Sequence, residues 1–137
     1  MYDIELSADG TFVRPSLHDG RVRGLLLCAD KKVLLAIEAT DGGRFCLAMH
    51  GVDRFRADDF WEGNIILDIG VYTGEQLDAE DVAFAFNVDT NHTSFLQQTV
   101  DRLRREARLL VKINPSYGVA VVCICSRLSV EEDRLPQ

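Results

Sequence analysis

The segment around Asp41-Gly42-Gly43 constrains the fold of this chain more than any other part of the sequence. Apolar residues alternate with other residues on both sides of it, at positions 33, 35, 37 and 39 before it and 45, 47 and 49 after it. Side chains of a strand point alternately to its two faces, so each flank has one apolar face. Asp-Gly readily adopts the positive φ angles of a tight turn between antiparallel strands. The sequence therefore predicts a β-hairpin whose two strands bury the same side.

A second extended segment runs from Gly63 to Tyr72. Apolar residues occupy positions 65, 67, 69 and 71, which predicts a strand with one face on a hydrophobic core. The opposite face carries Asn64, Asp68 and Tyr72 besides Ile66 and Gly70, a mixture typical of a face that is only partly covered. If the sheet carries a polar site, we expect it on this mixed face.

Shorter extended segments complete the predicted sheet. They cover residues 2–6, 11–13, 21–28, 52–55, 109–113 and 119–126, with a turn at 114–118 and a polar, frayed tail from 131 to 137. The segment 52–55 would continue the meander after the hairpin. The segment 119–126 is apolar on both faces, which favours a central position in the sheet.

Two helices are predicted in the second half of the chain. Leu96, Val100, Leu103, Ala107 and Leu110 follow a spacing of three and four, which predicts one main helix over about 93–108, capped by Thr93 or Ser94. Residues 82–88 alternate like a strand, but Asp78 could cap a helix there and Glu80 and Asp81 would occupy its first turn. We therefore favour a short helix over a strand for this segment.

The order of these elements indicates an α+β fold. We predict a single domain over residues 1–137, with a mostly antiparallel meander sheet of about six to eight strands, one main helix and a C-terminal hairpin. The pattern leaves open whether the sheet curls strongly or closes. The formal charge of −7 argues against nucleic-acid binding, and no segment has the composition of a signal peptide or membrane span. We therefore expect a cytoplasmic protein.

Three short pieces carry a resemblance to known proteins. They are Leu17-His18-Asp19-Gly20, Gly63-Asn64-Ile65-Ile66-Leu67 and Pro115-Ser116-Tyr117-Gly118. Their order resembles that of small bacterial α+β proteins of undescribed function, some of which are similar to toxin-immunity proteins. The resemblance implies a small bacterial protein with a protein partner, and it implies no functional residue.

The most distinctive surface segment is Asp58-Asp59-Phe60-Trp61-Glu62, which we call the acidic-aromatic loop. Carboxylates attract a basic partner, and aromatic side chains beside them provide the anchor that interface hot spots favour. A carboxylate cluster can also bind a divalent cation, but this spacing matches no metal loop. We predict that this loop binds a basic protein partner, without enzymatic activity or a cofactor.

An alternative interpretation is a small enzyme or a metal-binding protein. His18 and Asp19 could act as a base and its orienting carboxylate, although no nucleophile is implied nearby. Cys123 and Cys125 lie on one face of a strand, about 7 Å apart, and His50 or Cys46 could complete a metal site with them. A buried, reduced thiol is the simpler interpretation of each of these cysteines, as it is of Cys28.

Two further features bear on binding and assembly. Arginines at positions 102, 104, 105 and 108 could contact phosphate, but the dipole of the predicted helix already favours cations at its C-terminal end. If the strand 119–125 or the strand 63–72 lies at a sheet edge, two copies could pair as a homodimer.

Overall fold

The computed structural model describes residues 2–133. It contains ten strands and two α-helices: β1 (Glu5–Leu6), β2 (Phe12–Arg14), β3 (Arg21–Cys28), β4 (Lys32–Glu38), β5 (Arg44–His50), β6 (Arg54–Asp58), β7 (Asn64–Tyr72), α1 (Ala79–Phe86), α2 (Thr93–Arg105), β8 (Leu109–Tyr117), β9 (Ala120–Cys125) and β10 (Arg127–Glu132). Within this part of the chain, neither helix is long and apolar enough to cross a membrane.

Eight of the strands form one antiparallel sheet in the order β10-β5-β4-β3-β7-β8-β9-β6, and β1 pairs only with β2. This confirms the predicted α+β class with an antiparallel sheet and a C-terminal β8–β9 hairpin. The prediction that residues 52–55 continue the meander is wrong, because β6 pairs with β9 instead of β5. The prediction of a frayed tail from residue 131 is also wrong, because Glu131 and Glu132 belong to β10. Residues 134–137 lie outside the described part of the chain.

The sheet is strongly curled but not closed. The chain bends at Gly51 between β5 and β6, and at Ser126 between β9 and β10. At this corner the Ser126 amide donates to the His50 carbonyl at 2.9 Å, and the Asp53 amide donates to the Ile124 carbonyl at 2.8 Å. A β-carbon at Gly51, where φ is 62°, would lie 2.3 Å from the Ser126 hydroxyl oxygen. Glycine thus lets the two bent strands pack directly against each other.

The predicted β4–β5 hairpin is confirmed and forms the centre of the core. Gly42 adopts a φ of 88° in its turn. The apolar face of the hairpin lies inside the curled sheet, where the largest buried cluster includes Val33, Leu35, Ile37, Leu47, Met49, Val111, Ile113, Val121 and Val130.

The helices cover the outer face of β8 and β9. Leu96, Val100 and Leu103 of α2 are buried in a second cluster with Leu110, Val122 and Ile124 of the two strands. The short helix α1 is confirmed, and the Asp78 carboxylate accepts a hydrogen bond from the Glu80 amide as predicted.

The main helix is shorter than the predicted range of 93–108. It ends at Arg105 because Ala107 adopts a φ of 52°, and Leu110 then packs from β8 instead of from the helix. Its N-cap residue is His92, without a side-chain hydrogen bond, so the prediction of a Thr93 or Ser94 cap was wrong.

The alternation predicted for β7 fails because this strand is irregular. Its register against β8 shifts twice, between Ile65 and Ile66 and between Ile66 and Asp68. Each β-bulge inserts a residue without a partner and changes which side chains face inward. As a result Ile66 and Ile69 are buried in the inner core, whereas Leu67 is 45% exposed. The turn predicted at residues 114–118 is shorter in the structure, because β8 extends to Tyr117.

Strand β3 is paired along only one of its edges. It pairs with β4 from Arg21 to Cys28, but with β7 only at Arg21 and Val22. The remaining residues, 23–28, have no ladder partner on that side within the described chain. Leu26 and Leu27 of this segment are 45% and 67% exposed.

Candidate functional site

The acidic-aromatic loop lies between β6 and β7 and presents its aromatic side chains to solvent. Phe60 is 46% exposed and Trp61 is 54% exposed. Asp59 is also exposed and adopts a φ of 62°, a conformation that aspartate tolerates better than most residues. Large apolar side chains exposed next to each other are typical of an interaction surface.

The buried side chain of Asn64 fixes this loop to the sheet. Its Oδ1 accepts hydrogen bonds from the amides of Trp61 at 2.8 Å and Val119 at 3.1 Å. Its Nδ2 donates to the carbonyls of Trp61 at 2.6 Å and Val22 at 3.3 Å. All four hydrogen-bonding positions of the carboxamide are therefore used. Asn64 is only 2% exposed, so the loop is held by a rigid, water-excluded group.

The turn between β8 and β9 is shaped to admit Asn64. Gly118 adopts a φ of 88°, and a β-carbon there would lie 2.6 Å from Asn64 Oδ1. Just before it, Tyr117 is 52% exposed and pairs with Ile65 in the sheet. Tyr117 thus adds a third exposed aromatic residue beside the loop. The prediction missed it because residues 114–118 read as an ordinary turn.

The five predicted contact residues carry different amounts of free charge. The Asp58 carboxylate is bound by the Arg56 guanidinium through contacts of 2.8 and 3.2 Å, so its charge is largely compensated. Asp59 and Glu62 are exposed and have no ion-pair partner among the described residues. The unneutralised negative charge of the loop therefore comes from these two side chains, on either side of Phe60 and Trp61.

His18 and Asp19 do lie together, but on the surface. The Asp19 carboxylate is 3.5 Å from His18 Nε2, and His18 Nδ1 contacts the Leu67 carbonyl. Both side chains are more than half exposed. The adjoining cavity of about 100 Å³ is lined by Thr11, Phe12, Leu17, His18, Leu67, Asp68 and Ile69, without a serine or cysteine.

His50 and the cysteine pair are not brought together. His50 Nε2 is 2.9 Å from the Ser129 hydroxyl and 3.7 Å from the Glu131 carboxylate. Burial lowers its pKa, and the nearby Arg127 and Lys32 add to this effect. Cys123 and Cys125 lie instead in the inner core, with no exposed surface. Among residues 2–133, no three histidine, cysteine or acidic side chains are grouped to hold a metal ion.

All four cysteines are free thiols. Burial raises the pKa of Cys46 to about 11. The hydrogen bond with Cys125, together with burial, raises the pKa of Cys123 far above its usual range. Because the thiolate is the reactive form, we expect these two buried thiols to react slowly at neutral pH.

The arginines of α2 and its end are mostly occupied within the protein. Arg102 pairs with Glu106 at 3.0 Å, and Arg108 pairs with Asp53 at 3.3 Å. Arg104 donates to the Gly74 carbonyl at 3.0 Å. Three of the four arginines of this cluster thus have partners within the protein.

The mixed face of β7 does form part of a polar patch on the outer surface. Asn114 donates to the Asp68 carboxylate at 2.7 Å, and Lys112 lies 2.8 Å from the Asp81 carboxylate. Burial alone would lower the pKa of Lys112, but the hydrogen bond and charge of Asp81 outweigh that effect and raise it. These polar groups are paired with each other, and Asn64 faces away into the loop anchor.

The acidic-aromatic loop is therefore the surface that combines exposed aromatic area, uncompensated charge and rigid support. Comparisons of the chain with protein-family models, with curated proteins and with solved structures found no match.

Proposed function

We propose that this chain is a non-enzymatic binding or accessory protein of a bacterial cytoplasm, immunity-like in its mode of action. It engages a basic protein partner through the acidic-aromatic loop. One observation supports this proposal above all: the Asn64 carboxamide fixes the backbone of Trp61, and Trp61 and Phe60 are both exposed between Asp59 and Glu62, which have no ion-pair partner among the described residues.

The rigidity of the loop matters for its binding energy. A flexible loop loses conformational entropy when it binds, whereas a loop already fixed at Trp61 by two hydrogen bonds from a buried side chain loses less. The free energy gained by burying the rings of Trp61 and Phe60 then goes almost entirely into binding. Asp59 and Glu62 would accelerate the encounter with a positively charged partner and set its orientation.

The experiment compares partner capture by the wild type and by the double variant Trp61→Ala, Asp59→Ala. Both proteins serve as tagged bait in a host lysate, and Phe95→Ala is the matched control because Phe95 is an aromatic residue of similar exposure, 44%, on α2. The captured partner is then purified and its affinity measured by calorimetry. We expect the double variant to bind at least about tenfold more weakly, which is about 1.4 kcal/mol.

Salt dependence provides a second readout in the same experiment. Contacts made by exposed charges weaken as the Debye length shortens, so the affinity of the wild type should fall with added salt. The affinity of the double variant should depend less on salt. Identical partner lists for the wild type and the double variant, or no partner for either, would contradict the proposal.

The second candidate is a small enzyme or metal-binding protein that uses His18 and Asp19. It is favoured by the contact of His18 Nδ1 with the Leu67 carbonyl, which orients the ring towards Asp19. Elemental analysis of the purified protein and NMR titration of the three histidines would test it. A stoichiometric metal, or a His18 resonance that shifts on zinc addition, would support this candidate over the first.

A further inference from the structure

A cavity of about 240 Å³ lies on the outer face of the sheet, between α1 and the strands β8 and β9. We call it the outer cavity; the residues that matter for its chemistry are Glu80, Asp81, Phe84, Lys112, Asn114 and Ala120. Pockets for small molecules and cofactors usually enclose about 300–1,000 Å³. The outer cavity is smaller and equals the liquid volume of about eight water molecules. It therefore suits one long side chain better than a whole cofactor.

The outer cavity adjoins the acidic-aromatic loop through Val119 and Ala120. Ala120 lines the cavity and pairs with Asp58, the first residue of the loop. The Val119 amide donates to the Asn64 side chain, which also fixes the backbone of Trp61. A protein that covers the loop would therefore also reach the outer cavity.

The floor of the outer cavity offers side chains to a partner and no free strand edge. Strand β9 is hydrogen-bonded to β8 on one side and to β6 on the other. The sequence suggested the strands 63–72 and 119–125 as possible edges for a homodimer, but neither is an outermost strand of the sheet. A partner on this face must therefore bind through side chains.

The floor and one wall of the outer cavity are apolar. Ala120 and Val122 follow each other on the outer face of β9, and Phe84 of α1 lies beside them. The Arg56 guanidinium lies over the Phe84 ring, 4.2 Å from its centroid, and donates to the Phe84 carbonyl at 3.0 Å. The methylene stem of lysine or arginine packs on such a surface while its charged end stays at a polar rim.

Carboxylates outnumber cations around this apolar floor. The carboxylates that line the cavity, or contact or pair with a residue lining it, are Asp58, Asp68, Glu80 and Asp81, and the cations are Arg56 and Lys112. Asp78, at the start of α1, adds a further negative charge near Lys112. The surroundings of the cavity are therefore negative in sum.

Both of these cations are already bound by carboxylates. The Lys112 ammonium lies 2.8 Å from the Asp81 carboxylate, and the Arg56 guanidinium lies 2.8 Å from that of Asp58. Arg54, at the other end of β6, lies over the Phe86 ring instead. The repulsion that a cationic guest would meet in the cavity is therefore largely compensated.

Two carboxylates remain for such a guest. Asp68 and Glu80 have no ion-pair partner within residues 2–133, and Asp68 accepts only the neutral Asn114 amide at 2.7 Å. Glu80 belongs to the helix wall, whereas Asp68 lies on β7 beyond Asn114. A planar guanidinium carries five donors and can bond two separate carboxylates, while an ammonium acts as a compact point charge. This arrangement favours arginine over lysine.

We propose that the outer cavity receives an arginine side chain of the basic partner. Its stem packs on Ala120 and Val122, and its guanidinium donates to Glu80 and Asp68 at the rim. The inference rests on the proposed function and deepens it, because it names one side chain that the partner of the acidic-aromatic loop presents.

An NMR titration with N-acetylarginine amide tests the outer cavity without the partner. The backbone amide signals of Ala120 and Asn114 report on binding. We expect saturable shifts with a dissociation constant in the millimolar range, typical of so small a ligand. The citrulline derivative has nearly the same shape without the charge, and it should bind at least about fivefold more weakly.

Two variants locate the binding in the cavity. Ala120→Leu fills the floor without changing the charge, and Glu80→Gln removes a rim carboxylate. Each should weaken the binding of the arginine derivative at least about fivefold. The matched control is Glu75→Gln, which makes the same change of charge at a carboxylate that is 95% exposed beside Arg104. Thermal unfolding checks that each variant remains folded.

Several results would overturn the proposal. They are the absence of saturable shifts at Ala120 and Asn114, equal binding of the arginine and citrulline derivatives, and an equal loss for Glu75→Gln and Glu80→Gln. Tighter binding of N-acetyllysine amide than of the arginine derivative would overturn the choice of arginine.

Failure of the outer cavity is distinguishable from failure of the proposed function. If the arginine derivative does not bind but the lysate experiment captures a partner through the loop, only the cavity assignment fails. If the derivative binds and no partner is captured, only the proposed function fails. A captured partner should bind Ala120→Leu at least about fivefold more weakly than the wild type. Equal affinities would show that the partner leaves the cavity empty and would overturn the inference.

Discussion

The side chain of Asn64 bonds both the amide and the carbonyl of Trp61, at 2.8 and 2.6 Å. The same carboxamide reaches β3 through Val22 and the β8–β9 turn through Val119. A single buried polar residue thus joins the exposed loop to two separate parts of the sheet. The shape of the binding surface and the stability of the fold depend on the same group.

Replacing Asn64 with alanine should therefore destabilise the protein strongly. The change leaves the amides of Trp61 and Val119 without their acceptor, and a buried donor without a partner costs its full desolvation energy. We expect a loss of about 3 kcal/mol in the free energy of unfolding, measured by urea denaturation. Asn114→Ala is the matched control, because Asn114 is half-buried and makes a single bond to Asp68, and it should cost about 1 kcal/mol. Equal losses for the two variants would argue against an anchoring role of Asn64.

Gly118→Ala tests whether the β8–β9 turn is shaped around Asn64. A β-carbon at Gly118 would overlap Asn64 Oδ1 and meet the Asn64 Cα at 2.9 Å. Gly42 has the same φ of 88° but no atom within 4 Å of its β-carbon position, so Gly42→Ala isolates the cost of the backbone conformation. We expect about 1 kcal/mol for Gly42→Ala and at least about 2 kcal/mol for Gly118→Ala in urea denaturation. If Gly118→Ala loses no more free energy of unfolding than Gly42→Ala, the β8–β9 turn accommodates the added β-carbon and is not shaped around Asn64.

The four thiols should differ sharply in reactivity. Cys46, Cys123 and Cys125 are buried, whereas Cys28 is partly exposed. In the native protein at mildly alkaline pH, a thiol reagent such as DTNB should react quickly only with Cys28, and in denaturant it should react with all four cysteines. Cys28→Ser provides the control and should abolish the fast phase. Fast labelling in that variant would show that the inner core opens readily.

The stability of the fold should decrease when His50 is protonated. Burial lowers the pKa of His50 in the folded protein below its ordinary value of 6.5. The unfolded chain therefore binds the proton more readily, so the loss of stability begins as the pH falls through that ordinary value and is complete below the folded pKa. His50→Gln cannot be protonated, so its free energy of unfolding should fall less than that of the wild type between neutral pH and about pH 5.5.

Urea denaturation at the two pH values measures this difference. The control is His92→Gln, which removes the exposed N-cap histidine of α2. If His92→Gln and His50→Gln change the pH dependence equally, burial of His50 is not its cause.

Local patterns predicted the elements that depend on neighbouring residues. The Asp41-Gly42-Gly43 turn and the capping by Asp78 involve contacts within a few positions, and both are present. The end of α2 was missed because Ala107 adopts a left-handed conformation that its side chain does not signal. Propensity alone does not show where tertiary packing stops a helix.

Contacts between residues far apart in the sequence could not be predicted from local patterns. The two register shifts between β7 and β8 leave Ser116 of β8 and Leu67 of β7 without partners, and Leu67 lies out of the core although the alternation places it inside. The Asn64 contacts join Val22, Trp61 and Val119, which are distant in sequence. The five loop residues were predicted as a group, but only the structure separates the compensated Asp58 from the free Asp59 and Glu62.

The bent corner at Gly51 and Ser126 has a consequence for how the chain folds during its synthesis. Strand β5 pairs with β10. His50 of β5 can therefore contact Ser129, which lies 79 positions later in the sequence, only after β10 has been made. Contacts of such long sequence separation slow folding, since the entropy of closing the loop is lost before the contacts form. Strand β10 is the last strand of the described chain, and until it pairs, the edge of β5 that it covers has no partner. This side of the sheet is therefore completed only when β10, far along the chain from β5, has been made.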